Sequence, residues 1–155
     1  MAVFIGIDPA TSCGWAVLNE TGERLSSGVW KLDARAGDGA GMRYVRLERL
    51  FRELLAAYPI NARVAYEHSV NHRSGASAAI FGGIVATITR ICEELEIPYC
   101  AANYATIKKV ATGRGNSGKA EMTKAAHARW APYVTISDDE ADALHVAEAL
   151  RIGAV

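Results

Sequence analysis

The order of strand-like and helix-like segments predicts an α/β fold: a mixed β-sheet of about five strands, the first three antiparallel, flanked by helices. Three observations carry this. Three apolar, β-branched stretches lie within the first 32 residues and are separated only by short turns, which reads as an antiparallel meander. From residue 42 onward, helical periodicities alternate with two further strand-like runs. The 155 residues are 50% hydrophobic and 22% charged, an ordinary globular balance that predicts one domain over 1–155.

The elements follow in order. "VFIGID" (3–8) is an apolar strand stopped by Asp8-Pro9, "GWAVLN" (14–19) a second and "RLSSGVWKL" (24–32) a third. Residues 33–41 are a Gly-rich loop. Leu47, Leu50, Phe51, Leu54 and Leu55 keep helical spacing between Met42 and Tyr58, with Arg43, Arg46, Arg49 and Arg52 outside the stripe. "ARVAYEH" (62–68) is a fourth strand, 75–96 a long helix rich in small residues, and "IPYCAA" (97–102) a fifth strand. Helices are expected at 104–111, 119–130 and 138–151. The order is βββαβαβααα.

Three cysteines, Cys13, Cys92 and Cys100, at unrelated spacing argue against a disulfide framework, and no C-x2-C pair suggests zinc. No apolar run approaches the roughly 20 residues of a bilayer-spanning helix, and the N-terminus lacks a basic leader, so the expectation is a cytoplasmic protein. Formal net charge is zero, yet the charge is unevenly spread. Residues 101–135 hold six basic side chains (Lys108, Lys109, Arg114, Lys119, Lys124, Arg129) against Glu121, whereas 136–155 hold five acids against Arg151. A basic segment beside an acidic one suits phosphates and metal respectively. It equally suits two solvated faces of opposite sign.

"TGRGNSGK" contains Gly-x4-Gly-Lys, from Gly113 to Lys119, but it is no P-loop. Ala120 stands where Ser or Thr would hold magnesium, and the preceding "TIKKVATG" carries adjacent lysines that a buried strand could not hide. Ser117 is the expected cap of the following helix, with Glu121 in its first turn.

"SDDEADALHVAEALR" (137–151) is more telling. Ser137 and Glu140 form a capping box, and Asp138 suits the helix N-terminus. Structure therefore accounts for Asp138 and Glu140. Asp139 and Asp142 instead fall in the apolar stripe of Ala143, Val146, Ala149 and Leu150, while Leu144 points to a second contact. Like charges about 4 Å apart repel by about 4 kcal/mol at an effective dielectric near 20. Either one is protonated, or a cation neutralises them, or both project into solvent beyond the sheet. Asp8 ends the first strand, and Glu67 shares a strand face with Ala65. Together the four acids offer oxygen-only ligands, which suit magnesium or manganese.

These residues resemble the RuvC family of Holliday junction resolvases, within the ribonuclease H-like superfamily. The marks are "IGIDPATSCGWAV", "YEHSV", "IKKVATGRGNSGK" and "DEADAL", in order along nearly the whole chain, with Lys108 and Lys119 eleven residues apart like the family's two active-site lysines. The resemblance implies a ribonuclease H-like mixed sheet. It also implies a metal-dependent endodeoxyribonuclease that resolves four-way DNA junctions, and other branched DNA in the phage-encoded branch, which the short chain resembles. The implied ligands of Mg2+ or Mn2+, two per site, are Asp8, Glu67, Asp139 and Asp142. Lys119 would serve the scissile phosphate or the attacking water and Lys108 a neighbouring phosphate, with Lys109 and Arg114 on the DNA. The family works as a homodimer, with no nucleotide cofactor and no membrane, in the bacterial cytoplasm or, for a phage member, the host's. Helix 75–96, with Gly75, Ala78, Ala79, Gly82, Gly83 and Ala86, suits a close helix approach at that interface. Two departures stand out: Ala10 replaces a glycine after Asp-Pro, and Val70 replaces an aromatic wedge, leaving His68, His72 or Arg73 to contribute. The alternatives are an RNA-processing nuclease of the same superfamily, a non-catalytic branched-DNA-binding module, or an actin-like kinase. The last of these needs two such domains.

Overall fold

The computed structural model describes residues 1–132 and 134–155. Its ten elements run β1 (Val3–Asp8), β2 (Ser12–Asn19), β3 (Arg24–Lys31), α1 (Met42–Ala57), β4 (Ala62–His68), α2 (Gly75–Glu94), β5 (Tyr99–Asn103), α3 (Tyr104–Thr112), α4 (Lys119–Trp130) and α5 (Asp138–Arg151). One sheet takes them in the order β3-β2-β1-β4-β5. The β1–β2 and β2–β3 pairs are antiparallel; the β1–β4 and β4–β5 pairs are parallel. This is the predicted mixed sheet with its antiparallel meander at one edge.

The central strand β1 is apolar at nearly every position because both its faces are covered. Val3, Ile5 and Ile7 point into a core shared with Val64 of β4, Leu47 and Phe51 of α1, and Ile84, Ile88 and Ile91 of α2. On the other face lies α5, flanked by α3 and α4. Leu18, Ala126, Trp130, Ala141, Leu144 and Ala147 pack into one cluster there, and Ala65, Ala102, Ile107, Met122 and Val146 into another. Helix α5 is therefore buried almost all round rather than along the single stripe expected from its sequence, because neighbours enclose it on three sides. Leu144 takes up the second contact anticipated for it.

Boundaries moved by a few residues. Strand β2 begins two residues early, at Ser12. Strand β5 begins at Tyr99 rather than residue 97: Pro98 has no N–H to offer a ladder, although its carbonyl accepts from the Val64 N–H at 3.0 Å. Helix α2 stops at Glu94, and Glu96 turns the chain with φ +54°. One expectation needs correcting outright. Helix α2, at 20 residues and mean hydropathy 1.5 in its apolar window, does have the length and composition of a bilayer-crossing helix. Ser77, Thr87, Thr89 and Arg90 interrupt its apolar sequence, so no unbroken apolar run marks it. In the fold it packs on α1 and the sheet through Ile84, Ile88, Ile91 and Cys92, leaving Ala78, Ala79, Gly82 and Ala86 exposed.

Candidate active site

Backbone geometry brings the four acids to one end of the sheet. Asp8 is the last residue of β1 and lies across from Gly14 of β2. Glu67 lies one step beyond the Ile7–Tyr66 parallel pair on β4. By strand alternation, Asp8 shares a face with Gly6, and Glu67 shares one with Ala65, which is buried beside Val146 of α5. Both carboxylates therefore lie on the α5 face. Two glycines let α5 approach the sheet backbone to backbone. A Cβ on Gly6 would stand 2.1 Å from the Ala143 carbonyl oxygen, and one on Gly14 would stand 1.9 Å from that of Asp139. The N-terminal end of α5, with Asp139 in its first turn and Asp142 at the start of its second, is thus held directly over the end of β1 and β2.

The α5 terminus is built as its sequence predicts. Ser137 Oγ accepts from the Glu140 N–H at 3.1 Å, and Glu140 Oε2 accepts from the Ser137 N–H at 3.1 Å. Glu140 also accepts from Ser27 Oγ of β3 at 3.0 Å, and Asp138 accepts from Thr123 Oγ1 of α4 at 3.0 Å. Those two acids are engaged in structure. Asp8, Glu67 and Asp142 are instead under electrostatic load. Burial, then the charges of Glu67, Asp142 and Asp139, push Asp8 well above the usual carboxylate range. Burial, with Asp142 second, pushes Glu67 up to about 7. Burial also pushes Asp142 up to about 6, with Asp139 and Asp138 adding to the rise and Lys119 and Lys108 opposing it. Repulsion among groups so far apart in sequence places them in one field.

Lys119 is the first residue of α4, an unfavourable place for a cation against the helix dipole. Its Nζ is 3.9 Å from Asp142 Oδ2 and 3.9 Å from Asp138 Oδ2. The ammonium and the positive end of α4 together form one electropositive pole beside the acids. Lys108 on α3 lies over the Tyr104 ring at 4.2 Å, within the field of Glu67 and Asp142. Lys109 is exposed, and Arg114 pairs with Glu121.

The loop joining α3 to α4 differs from expectation in one respect. Ser117 does not cap α4; it is buried, bonded to Thr112 Oγ1 and to the Arg114 carbonyl. Gly118 occupies the cap position, where its N–H donates to Glu121 Oε2 at 2.9 Å. Gly113, with φ +80°, ends α3 in the left-handed conformation that glycine adopts freely. The element before this loop is a helix, not the strand that a P-loop requires.

On the α2 side, Asp8 and Glu67 open onto a cleft of about 290 Å3 lined by the Pro9–Thr11 turn, Ser69, His72, Ser77, Ile80 and Phe81. His72 is folded into its wall: its ring centroid is 4.9 Å from that of Phe81, and Nε2 lies 3.2 Å from the Ser69 carbonyl oxygen. Val70 is 74% exposed and Arg73 is exposed, so both project from the loop before α2. A larger cavity, about 850 Å3 between Arg52, Tyr58, Arg63 and Ile97, lies at the other end of the sheet and contains none of the four acids.

The donor chemistry fits a hard divalent cation: all oxygen, partly buried, mutually repelling, with two lysines as the nearby positive charges. Among the described residues, no three His, Cys, Asp or Glu side chains stand at ligand spacing, so the acids share a field without being drawn around a centre. Sequence reading missed His145 and Thr123, both of which tie α4 to α5. Only the neighbouring helix reveals their partners.

A five-stranded mixed sheet with α5 across its central strands is a ribonuclease H-like α/β fold. No family model matches the chain, and no curated protein does. Solved structures do match. The structure described as Thermus thermophilus RuvC in complex with Holliday junction substrate has a TM-score of 0.84 at 21% identity, over 99% of this chain and 97% of that one. A second T. thermophilus RuvC structure has a TM-score of 0.81 at 22% identity, over 97% and 96%. The chain therefore has the RuvC fold from end to end.

Proposed function

We propose that this chain is a RuvC-type, metal-dependent, structure-selective endodeoxyribonuclease that resolves four-way DNA junctions by paired phosphodiester hydrolysis. The observation that carries the reading is the convergence of Asp8, Glu67 and Asp142 into one repelling field with Asp139, with Lys119 against Asp142 at 3.9 Å. The fold shared with a structure of RuvC on a Holliday junction supports the choice of substrate.

Asp8, Glu67, Asp139 and Asp142 would hold Mg2+ or Mn2+, two per site. When bound, these ions supply an activated water and relief of charge on the leaving 3′ oxygen. The chain's own residues do the rest. The rigid end of β1 and β4 and the capped end of α5 keep the carboxylates in place. Lys119 and the first N–H groups of α4 offset charge on the scissile phosphate, and Lys108 holds a neighbouring one. Lys109 and Arg114 extend the basic strip along the backbone, while Val70, His72 and Arg73 lie where the junction centre would meet the loop before α2. A homodimer would present one such site to each of two strands, with the exposed Ala78–Ala86 face of α2 as the contact. The whole of 1–155 acts as a single nuclease domain in this reading, with flaps or forks as further substrates of a phage-like member.

The test is magnesium-dependent cleavage of a synthetic mobile four-way junction, mapped on a denaturing gel beside a flap, a splayed duplex and a structured RNA. Symmetrical cuts near the crossover that vanish in Asp8→Asn and Asp142→Asn are expected. Preference for RNA would move the chain to RNA processing. Binding without cuts, or full activity in both variants, would leave a branched-DNA-binding module or a different site.

A further inference from the structure

Helix α4 carries Lys119 on a narrow apolar seat. Its buried residues are Met122, Ala126 and Trp130, spaced i, i+4 and i+8, a narrow stripe that sets which face turns inward more firmly than it sets position along the axis. Polar ties supply the missing register: far from Lys119, Arg129 pairs with the buried Glu148 of α5 at 2.7 Å, and two hydrogen bonds act beside it. At the far end, Trp130 Nε1 donates to the Gly22 carbonyl oxygen in the β2–β3 turn at 2.9 Å. At the near end, His145 of α5 lies 2.8 Å, through Nε2, from the main-chain carbonyl oxygen of Met122. That carbonyl is three residues from Lys119, and His145 is three residues from Asp142. The bond thus spans the two helices one turn below the Lys119–Asp142 contact. His145 is only 2% exposed, and its ring packs edge-on against Trp130 with centroids 5.4 Å apart. A carbonyl can only accept, so a neutral ring must carry its proton on Nε2. Burial, the main influence on the ring, favours that neutral form.

We propose that His145 is a positioning residue. By donating to the Met122 carbonyl it fixes α4 on α5 in the register that sets the Lys119 ammonium against Asp142 and the scissile phosphate. This rests on the nuclease reading of the site. His145 touches neither DNA nor metal and acts only through Lys119. Thr123, adjacent to Met122, adds a further tie through Asp138 at 3.0 Å. That tie is exposed, whereas His145 works in a dry interior where an unmade bond costs more.

The experiment is single-turnover cleavage of a four-way junction under saturating magnesium, with junction affinity measured separately. His145→Leu keeps the packing and removes the donor; His145→Gln places an amide near the Nε2 position. Displacing a catalytic group by about 1 Å costs about 100-fold, so the Leu variant should lose about 10-fold to 100-fold in cleavage rate with affinity nearly unchanged. The Gln variant should recover most of the rate. In a Lys119→Ala background, His145→Leu should add almost nothing, because its effect passes through the missing ammonium. An unchanged rate in the Leu variant, Gln no better than Leu, or losses that multiply in the double variant would each overturn the proposal. Should the Leu variant fail to fold, nitrogen-15 spectra of wild-type His145 decide: a protected Nε2–H is expected, and a proton on Nδ1 overturns the assignment. If Lys119→Ala alone keeps the wild-type rate, the reading of the site itself falls. If Lys119→Ala is inactive and His145→Leu is not, only the role of His145 falls.

Discussion

Replacing Glu67 with glutamine removes one charge from the acidic end of the sheet while nearly preserving side-chain shape. Burial and the Asp142 charge move this carboxyl from an ordinary 4.5 to about 7. At about 1.4 kcal/mol per pH unit, ionised Glu67 costs the metal-free fold about 3 kcal/mol. The sign follows from proton counting. The folded pKa lies above the unfolded one, so between about pH 4.5 and 7 the folded chain binds more protons. Stability contributed by the protonated group is present below that window and lost as pH rises through it. In chelator at pH 8, Glu67→Gln should therefore be more stable than wild type by about 2–3 kcal/mol, or about 5–10 °C in melting temperature for a chain of this size. The advantage should shrink to nearly zero by pH 4. Saturating magnesium should raise the wild-type melting temperature and raise the variant's less, closing or reversing the gap. Urea titrations and thermal melts at pH 4, 6 and 8, with and without magnesium, make the measurement. A variant less stable than wild type at pH 8 in chelator, or a difference independent of pH, would refute the idea that Glu67 is held in a buried, like-charged cluster.

Lys119→Ala should reduce single-turnover cleavage by about 100-fold or more while junction affinity changes little; comparable loss of both would make the lysine a plain phosphate anchor. Junction affinity should fall linearly with salt on logarithmic axes, and replacing Lys108 and Lys109 by alanine should make that slope shallower by about 2 in filter binding or anisotropy. Gly14→Ala should destabilise the fold by about 3 kcal/mol in urea and abolish cleavage, because its Cβ would meet the Asp139 backbone at 1.9 Å and lift α5 off the sheet. If the proposed homodimer joins through the exposed face of α2, Ala79→Glu should leave a monomer in sedimentation velocity and uncouple the two incisions of a junction, whereas an unchanged sedimentation coefficient would overturn that contact.

All ten elements, in order, were legible in the sequence, as was the capping box at Ser137–Glu140. Each of these depends on neighbours within about one turn or one pleat, where periodicity and capping act. The alternation of β4 likewise put Glu67 on the face of Ala65, and the spacing of Asp139 and Asp142 marked a pair that packing alone would not place there. Limits appeared wherever the partner lay far along the chain. Ser117 looked like a cap, yet its hydroxyl bonds back to Thr112 and Arg114 while Gly118 takes the cap position. The strand order, the entry of α5 against Gly6 and Gly14, and the link from His145 to Met122 depend on contacts between segments distant in sequence. The rise of Glu67 to about 7 belongs with them. Desolvation and charge repulsion are set by what surrounds a group in space, so Asp8, Glu67 and Asp142 leave the ordinary carboxylate range only once the sheet and α5 close around them.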